Sequence, residues 1–373
     1  MTCRACGSLR LETVLDVGAV AAADRFPPAD TPVSDDETGH PLSMAVCRTC
    51  GLAQLVDDDT IADEPRGVEP QALRDQAAAA VTDVADAGFL VGSTVTEFGS
   101  PHGGTWLPLL AERGFTAHPA DGKQPCDVVL DCFGMMHEPD QAAAVARRAR
   151  ATAPDGVLLF QFHSLATIVA QGQWNALRHG HFAYYSLTAL RSLFDAVGMS
   201  VTSAWTYDLY GGTVLVAVRH GVHDPDASVA AVLATEEAGG VTDPAAVSAL
   251  QRAARRQWGD LTTWLSDIVA SGGTAYAYAA ASRAVALLGC AGVTRSLLAG
   301  VADASPAKWG LRMPGTDIPI IDPDSLVAAS PTAVLVTVPD LVDEVRRDFP
   351  TLADVLVTEP TARVQTDPQG GTS

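Results

Sequence analysis

Hydrophobic and polar positions change their period along this chain, and the changes predict its elements. The stretch LRLETVLDVG (residues 9–18) alternates apolar with polar side chains, the period of a strand with one covered face. Residues 70–88, PQALRDQAAAAVTDVADAG, space their apolar positions as a helix does and stop at Gly88. Val95 to Phe98 then form a short apolar run that enters the glycine turn Gly99-Ser100, followed by the helical TWLPLLAERG. A second apolar run, CDVVLDCFG, leads into Met135-Met136-His137-Glu138-Pro139-Asp140. After a helix comes GVLLFQF, entered through the turn Pro154-Asp155-Gly156. Strand, glycine loop and helix in alternation predict an α/β fold with a Rossmann-like sheet, whose ligand lies beyond the carboxyl ends of the strands.

The pattern repeats towards the C-terminus. From about Asp224 to Ile268 the chain is helical and alanine-rich. GGTAYAYAAASRAVALL then reads as strand, turn and helix, RSLLAGVADAS as a strand ending at Asp303, and TAVLVTVP as a later strand. The expected organisation is a head over residues 1–60, a Rossmann-type domain over 61–222, a helical connection over 223–270 and a second α/β domain over 271–365.

Composition narrows the function. The 373 residues carry 24 Lys+Arg against 44 Asp+Glu, a formal net charge of −20, which repels phosphate backbones and anionic membranes. Neither nucleic acid nor membrane is an expected partner. With no apolar run of signal-peptide or membrane-spanning type, a soluble cytoplasmic protein is expected, as monomer or homodimer. Seven cysteines, an odd number, argue against a disulfide framework. Four of them form two CxxC pairs, Cys3/Cys6 and Cys47/Cys50, each followed by a glycine (Gly7, Gly51). Such knuckles place four thiolates around one tetrahedral ion, so a closed structural zinc site is expected. Cys126, Cys132 and Cys290 sit in apolar surroundings and read as core residues.

The two CxxC pairs, CRTCGLAQL, EFGSPHGG, HEPD, HFAYYSLTALRSLF, YGGTVLVAV and DASPAKWGLRMPGTDIPI follow one another in a recognisable order. The chain resembles the zinc-containing, S-adenosylmethionine-dependent C-methyltransferases that act on nucleotide-linked 4-keto deoxysugars in natural-product assembly. The resemblance implies a cofactor site at Glu97, Gly99, Ser100, His102 and Gly103, with His118 at the ribose position and His137 beyond it. It implies a histidine base in the loop Arg178-His179-Gly180-His181: His181 first, His179 as its alternative or orienting neighbour. Tyr184 and Tyr185 would offer hydroxyls. A sugar nucleotide would be met by Arg178, Gly211, Gly212, Tyr278, Ser282, Arg283 and Lys308, with Arg312 a further phosphate candidate. An imidazole suits the chemistry, because it titrates near neutrality and can take a proton from carbon beside a ketone.

Departures from that family's pattern cluster where chemistry is expected. Pro101 and His102 replace the central pair of the glycine loop. His118 stands in place of a ribose-binding acid, with Asp121 close behind. Gln161 replaces a glutamate, and Arg178 and Gly180 replace a tyrosine and a glutamate. A second reading therefore retains the proton abstraction without the methyl donor, as an isomerase, epimerase or eliminase; a third is a non-catalytic partner.

Overall fold

The structure is a computed structural model, and it describes residues 1–60, 68–101, 103–120 and 124–360. Its backbone is organised by three sheets. In the head, β1 (Leu11–Val20) and β2 (His40–Cys47) pair antiparallel with Leu11 opposite Cys47, and β2 continues into β3 (Ala53–Leu55). Between the two cysteine pairs the head is therefore a β-excursion, whose buried side chains Leu15, Leu42 and Met44 pack with Leu55 of β3.

The central sheet contains β4 (Thr94–Phe98), β5 (Thr116–His118), β6 (Cys126–Cys132) and β7 (Thr152–His163). A two-residue strand, β8 (Ala183–Tyr184), leaves it, and β9 (Met199–Tyr207) and β10 (Thr213–His220) return. The order is β5-β4-β6-β7-β10-β9. The first four strands are parallel, and β10 runs antiparallel to both β7 and β9. Helix α1 (Gln71–Asp86) packs Ala77, Ala80, Val81 and Val84 on one face, against Val157 and Leu159 of β7. The other face carries Phe160 and Phe162, alternate residues of the same strand, against α3 (Gln141–Ala151) and α5 (Leu187–Asp195). The lesser helices α2 (Leu107–Ala111) and α4 (Leu165–Ala170) follow β4 and β7. The expected turn at Pro154-Asp155-Gly156 is absorbed into β7, opposite a register shift between Cys126 and Val128 of β6.

Strand β8 belongs to neither end of this sheet. It pairs with β3 of the head, Ala53 opposite Tyr184, so the segment that carries the paired histidines is built into the head. After β10, α6 (Ala227–Gly239), α7 (Pro244–Val247) and α8 (Ala249–Ala270) form the expected helical stretch. The third sheet is wholly parallel: β11 (Ala275–Tyr278), β12 (Val301–Ala302), β13 (Ile320–Ile321), β14 (Ala333–Val336) and β15 (Leu356–Val357), in the order β13-β12-β11-β14-β15. Its first crossover helix is α9 (Ser282–Cys290). No helix among the described residues is long and apolar enough to cross a membrane.

Candidate active site and zinc centre

The four cysteines of the head converge: one sulfur from each of Cys3, Cys6, Cys47 and Cys50 lies within 4.8 Å of the others. Cys3 Sγ is 3.6 Å from Cys50 Sγ, and Cys6 Sγ is 3.7 Å from Cys47 Sγ. A tetrahedral ion with zinc–sulfur bonds of ~2.3 Å puts its sulfurs about 3.8 Å apart, so the donors present fit zinc. The Cys50 thiol beside it holds Cys3 down to about 5, well into the thiolate range, while Cys50 is pushed up in turn. Gly7 and Gly51 both have positive φ, +70° and +77°, as knuckle turns require.

A cleft of about 330 Å³ opens where the carboxyl ends of the central and C-terminal sheets meet. From the central sheet come Glu97, Gly99, Ser100, Gly103 and Gly104, followed by Phe133, Met136 and His137 beyond β6. Gly99 and Gly103 have nothing within 4 Å of where a Cβ would stand, so this loop leaves room against its backbone. Glu97 is held at the start of the following helix: one carboxylate oxygen accepts from Trp106 N at 2.8 Å and the other from Thr105 Oγ1. Burial raises its pKa.

His137 is placed by a buried ion pair. Asp131, at the end of β6, accepts from Arg148 Nε at 2.6 Å with both residues almost fully buried. Its other oxygen accepts from Gly134 N and Met135 N, which shapes the turn. His137 Nδ1 then donates to Gly180 O at 2.9 Å, and its ring meets the His181 ring edge to face with centroids 4.5 Å apart. His181 is buried, lines the cleft, and accepts from Arg178 Nε at Nε2, 2.9 Å away. Because a guanidinium is only ever a donor, Nε2 carries the lone pair and the imidazole is neutral.

Backbone strain collects at this cleft. Among the described residues, the non-glycine residues with positive φ are Phe133 (62°), Tyr210 (56°), Ala279 (75°) and Ser330 (48°), and the first three line it. Such conformations cost energy and survive where surrounding structure fixes them, commonly at functional sites.

Other expected site residues are placed differently. His179 points away from the cleft: its Nε2 meets Pro41 O at 3.2 Å, its ring packs edge to face on His40, and burial lowers its pKa. Tyr184 lines the cleft, but its hydroxyl accepts from Arg178 N at 3.1 Å. Tyr185 also lines the cleft, but its hydroxyl donates to Gln141 Oε1 and its ring packs edge to face on Phe160 and Phe162. His118 ends β5 opposite Thr96 and does not line the cleft. Gly211 and Gly212 pack on α4 and its C-terminal turn: a Cβ on either would fall 2.3 Å from Gln171 Oε1 or 2.2 Å from Thr167 Oγ1. His102 and Asp121 lie outside the described residues.

The C-terminal sheet delivers Tyr278, Ser282, Arg283 and Lys308 to the cleft, as expected. Lys308 is buried, donates to Ala280 O at 2.8 Å and sits over the Phe26 ring. Asp303 accepts from Ala280 N and Ser305 N, both at 2.8 Å, which fixes the turn after β11. Arg283 reaches Asn175 Oδ1 only at 3.4 Å, and its buried Nε has no hydrogen-bond partner. Burial, with Arg178 close by, brings its pKa down to about 10. Arg312 lies elsewhere, gripping Glu37 with both terminal nitrogens and tying the C-terminal domain to the head.

Sequence reasoning missed part of the cleft wall. Gln76, His163 and Tyr210 also line it, beside Gln161, which the sequence marks only as standing in place of a glutamate. Gln161 and His163 fall on the same parity as the apolar Val157 and Leu159, so polar residues continuing an apolar face at a strand's carboxyl end were the available signal.

Three family models cover the chain in succession: a zinc binding domain over residues 3–59, a methyltransferase domain over residues 71–204 and a C-methyltransferase C-terminal domain over residues 208–354. Head, α/β centre and second α/β domain, the latter two facing one cleft, thus give this enzyme the three-part make-up of a C-methyltransferase. The chain is similar to the C-methyltransferase NovU of Streptomyces niveus, 25% identical over 407 residues that take in 97% of this chain and 96% of that one. Among solved structures, the magnesium protoporphyrin IX methyltransferase of Synechocystis PCC 6803 with bound SAM matches at 15% identity. It covers 40% of this chain and 80% of that one, with a TM-score of 0.31. The 1,6-didemethyltoxoflavin-N1-methyltransferase of Burkholderia thailandensis matches at 16% identity over 41% of this chain and 79% of that one, with a TM-score of 0.29.

Proposed function

We propose that this enzyme methylates a carbon next to the ketone of a nucleotide-linked keto-deoxysugar, with His181 as the base and S-adenosylmethionine as donor. The reading rests above all on His181: a neutral, buried imidazole on the cleft wall, within ring contact of His137. The donor supplies an electrophilic methyl group. Gly99, Ser100 and Gly103 would hold it, with room against their backbone, and Glu97 would border it. Among the described residues, the end of β5 offers no carboxylate for a ribose, since His118 lies off the cleft. The fit is therefore to the glycine-loop side of the donor.

His181 receives the proton from the sugar carbon at Nε2. Its lone pair is open to that proton once the Arg178 guanidinium, which donates to the same nitrogen, swings off it, and the displaced guanidinium is then free to meet the enolate oxygen. Arg283, with an unpaired buried Nε, and Lys308 offer charge to the diphosphate of the substrate. The head keeps the base in place. Gly180 N donates to Asp58 Oδ2 at 2.7 Å, Leu55 N to Phe182 O at 3.2 Å, and Phe182 N to Met136 O at 2.7 Å. Zinc has no part in the chemistry; it holds the sheet on which the loop is hung.

The test is solvent deuterium entry into a nucleotide-linked 4-keto-6-deoxysugar, followed with and without donor. The wild type should exchange the α-proton and, with donor, yield a product heavier by one methyl group. His181→Ala should lower both about 10²–10⁴-fold, the usual loss on removing a general base. Exchange without methyl transfer at saturating donor would favour the isomerase-type reading; undiminished exchange in the variant would remove His181 from the mechanism.

A further inference from the structure

One wall of the cleft carries polar atoms that the proposed chemistry leaves unused. Gln161 and His163 sit at the carboxyl end of β7, two positions apart and on the face that packs against α1, hence about 7 Å from each other along the strand. Gln161 is buried, and its Nε2 donates to Gln76 Oε1 at 2.8 Å, leaving Gln161 Oε1 and Gln76 Nε2 without partners. Turning both amides over leaves the same inventory, one acceptor and one donor. His163 Nε2 is likewise buried and unpartnered. All three side chains line the cleft. Buried polar atoms are nearly always hydrogen-bonded, so orphans gathered on one wall of a cavity mark where a ligand's polar groups belong.

The charges around them decide what kind of ligand group fits. Burial, then Arg283, then Arg178 pull the pKa of His163 down to about 3, against which Gln173 and the Tyr210 backbone act only weakly. Its ring is therefore neutral, and the positive charge nearby comes from two guanidiniums. Asp340 bears on Arg283 rather than on His163. Nε2 is the ring nitrogen left without a partner, and with the ring proton on Nδ1 it is an acceptor. An acceptor and a donor on the amide pair, beside a neutral imidazole that two guanidiniums face, suit a hydroxyl, which donates and accepts hydrogen bonds without bringing charge. An ammonium would also donate, but beside both cations, while the cleft acids Glu97, Asp303, Asp340 and Glu344 are each already engaged by a backbone N–H.

We propose that His163 and Gln161 form a hydroxyl-binding subsite that selects sugars bearing a neutral hydroxyl over those bearing an amine. This deepens the nucleotide-sugar reading and rests on it.

Calorimetric titration of the full-length, zinc-loaded protein at pH 7 tests it. The probes are the free diphosphate, the glucose form and the 2-amino- and 3-amino-glucose forms of the uridine and thymidine nucleotides. At least one glucose form should bind about tenfold or more tightly than its amino counterpart. Gln161→Leu and His163→Leu should each erase that preference while leaving the free diphosphate's affinity unchanged. Gln161→Glu should reverse it. In 15N-histidine-labelled wild-type protein, the favoured sugar should move the His163 Nε2 resonance and the free diphosphate should not, a readout that survives any instability of the leucine variants. Equal binding of neutral and amino sugars, or a preference intact in Gln161→Leu, overturns the subsite alone. If neither sugars nor free diphosphates bind, the nucleotide-sugar reading fails and the subsite falls with it.

Discussion

The cysteine head and the cleft differ in what their polar atoms have left to give. In the head, four sulfurs from two turns converge on one point, a closed arrangement that an ion completes. In the cleft, Glu97 and Asp303 are committed to backbone amides, while Arg283, Gln161, Gln76 and His163 retain buried atoms with no partner. The first pattern belongs to a structural centre and the second to a binding surface. They are mechanically joined, because β8, directly after His181, is the fourth strand of the head's sheet. A structural metal can therefore govern catalysis without touching substrate.

The largest effect should come from breaking that joint. Cys47 is fully buried in the head. Cys47→Ser, or chelation of the wild type, should drop zinc from one per chain to none, measured by emission spectrometry. Because structural zinc contributes on the order of 10 kcal/mol to small domains, the head should unfold, seen as new protease sites within residues 1–60. Activity should fall with it even though every cleft residue is intact. A zinc-free chain with normal turnover would separate the head from the site.

A smaller effect is expected where the cleft meets the substrate's charge. Arg283→Met keeps the packing of a buried stem and removes the guanidinium. A charge-assisted contact to phosphate contributes about 1.5–3 kcal/mol, so KM for the sugar nucleotide should rise roughly ten- to a hundredfold while kcat changes little. A fall in kcat at constant KM would place Arg283 on the reacting atoms instead.

The same contrast explains what could be read from the chain. Two CxxC pairs fix the head because ligand geometry is local: a turn sets each pair, and only the joining of two turns is long-range. The alternating strands were legible for a similar reason, since the parity of Val157, Leu159 and Phe160 is set by the pleat. The cleft is assembled from segments far apart in sequence, and local pattern is silent on which way a side chain turns. His179 and His181 are two positions apart, yet one faces Pro41 of the head and the other the cleft, because β8 pairs with β3. Gly211 and Gly212 looked like ligand glycines, but α4 occupies the space their missing side chains leave. His163 drew no attention because a lone histidine at a strand end carries no motif, and the lack of a partner at its Nε2 exists only in three dimensions.

The smallest expected effect is also the sharpest probe of that isolation. Folded His163 stays neutral down to about pH 3, whereas an unfolded histidine takes up a proton below about pH 6.5. Between those values the unfolded chain binds more protons than the folded one, so this group makes stability rise with pH across the window and fall on acidification. Above about 6.5 neither state is protonated there, and the penalty vanishes. One proton's difference corresponds to ~1.4 kcal/mol per pH unit. Thermal or denaturant unfolding of His163→Gln, which keeps a polar planar side chain, should therefore show a shallower acid-side slope than the wild type between pH 4 and 6, and a similar stability at pH 7. A wild-type slope unchanged by the substitution would mean that the ring takes a proton in the folded state, and with it would go the neutral acceptor on which selection for a hydroxyl depends.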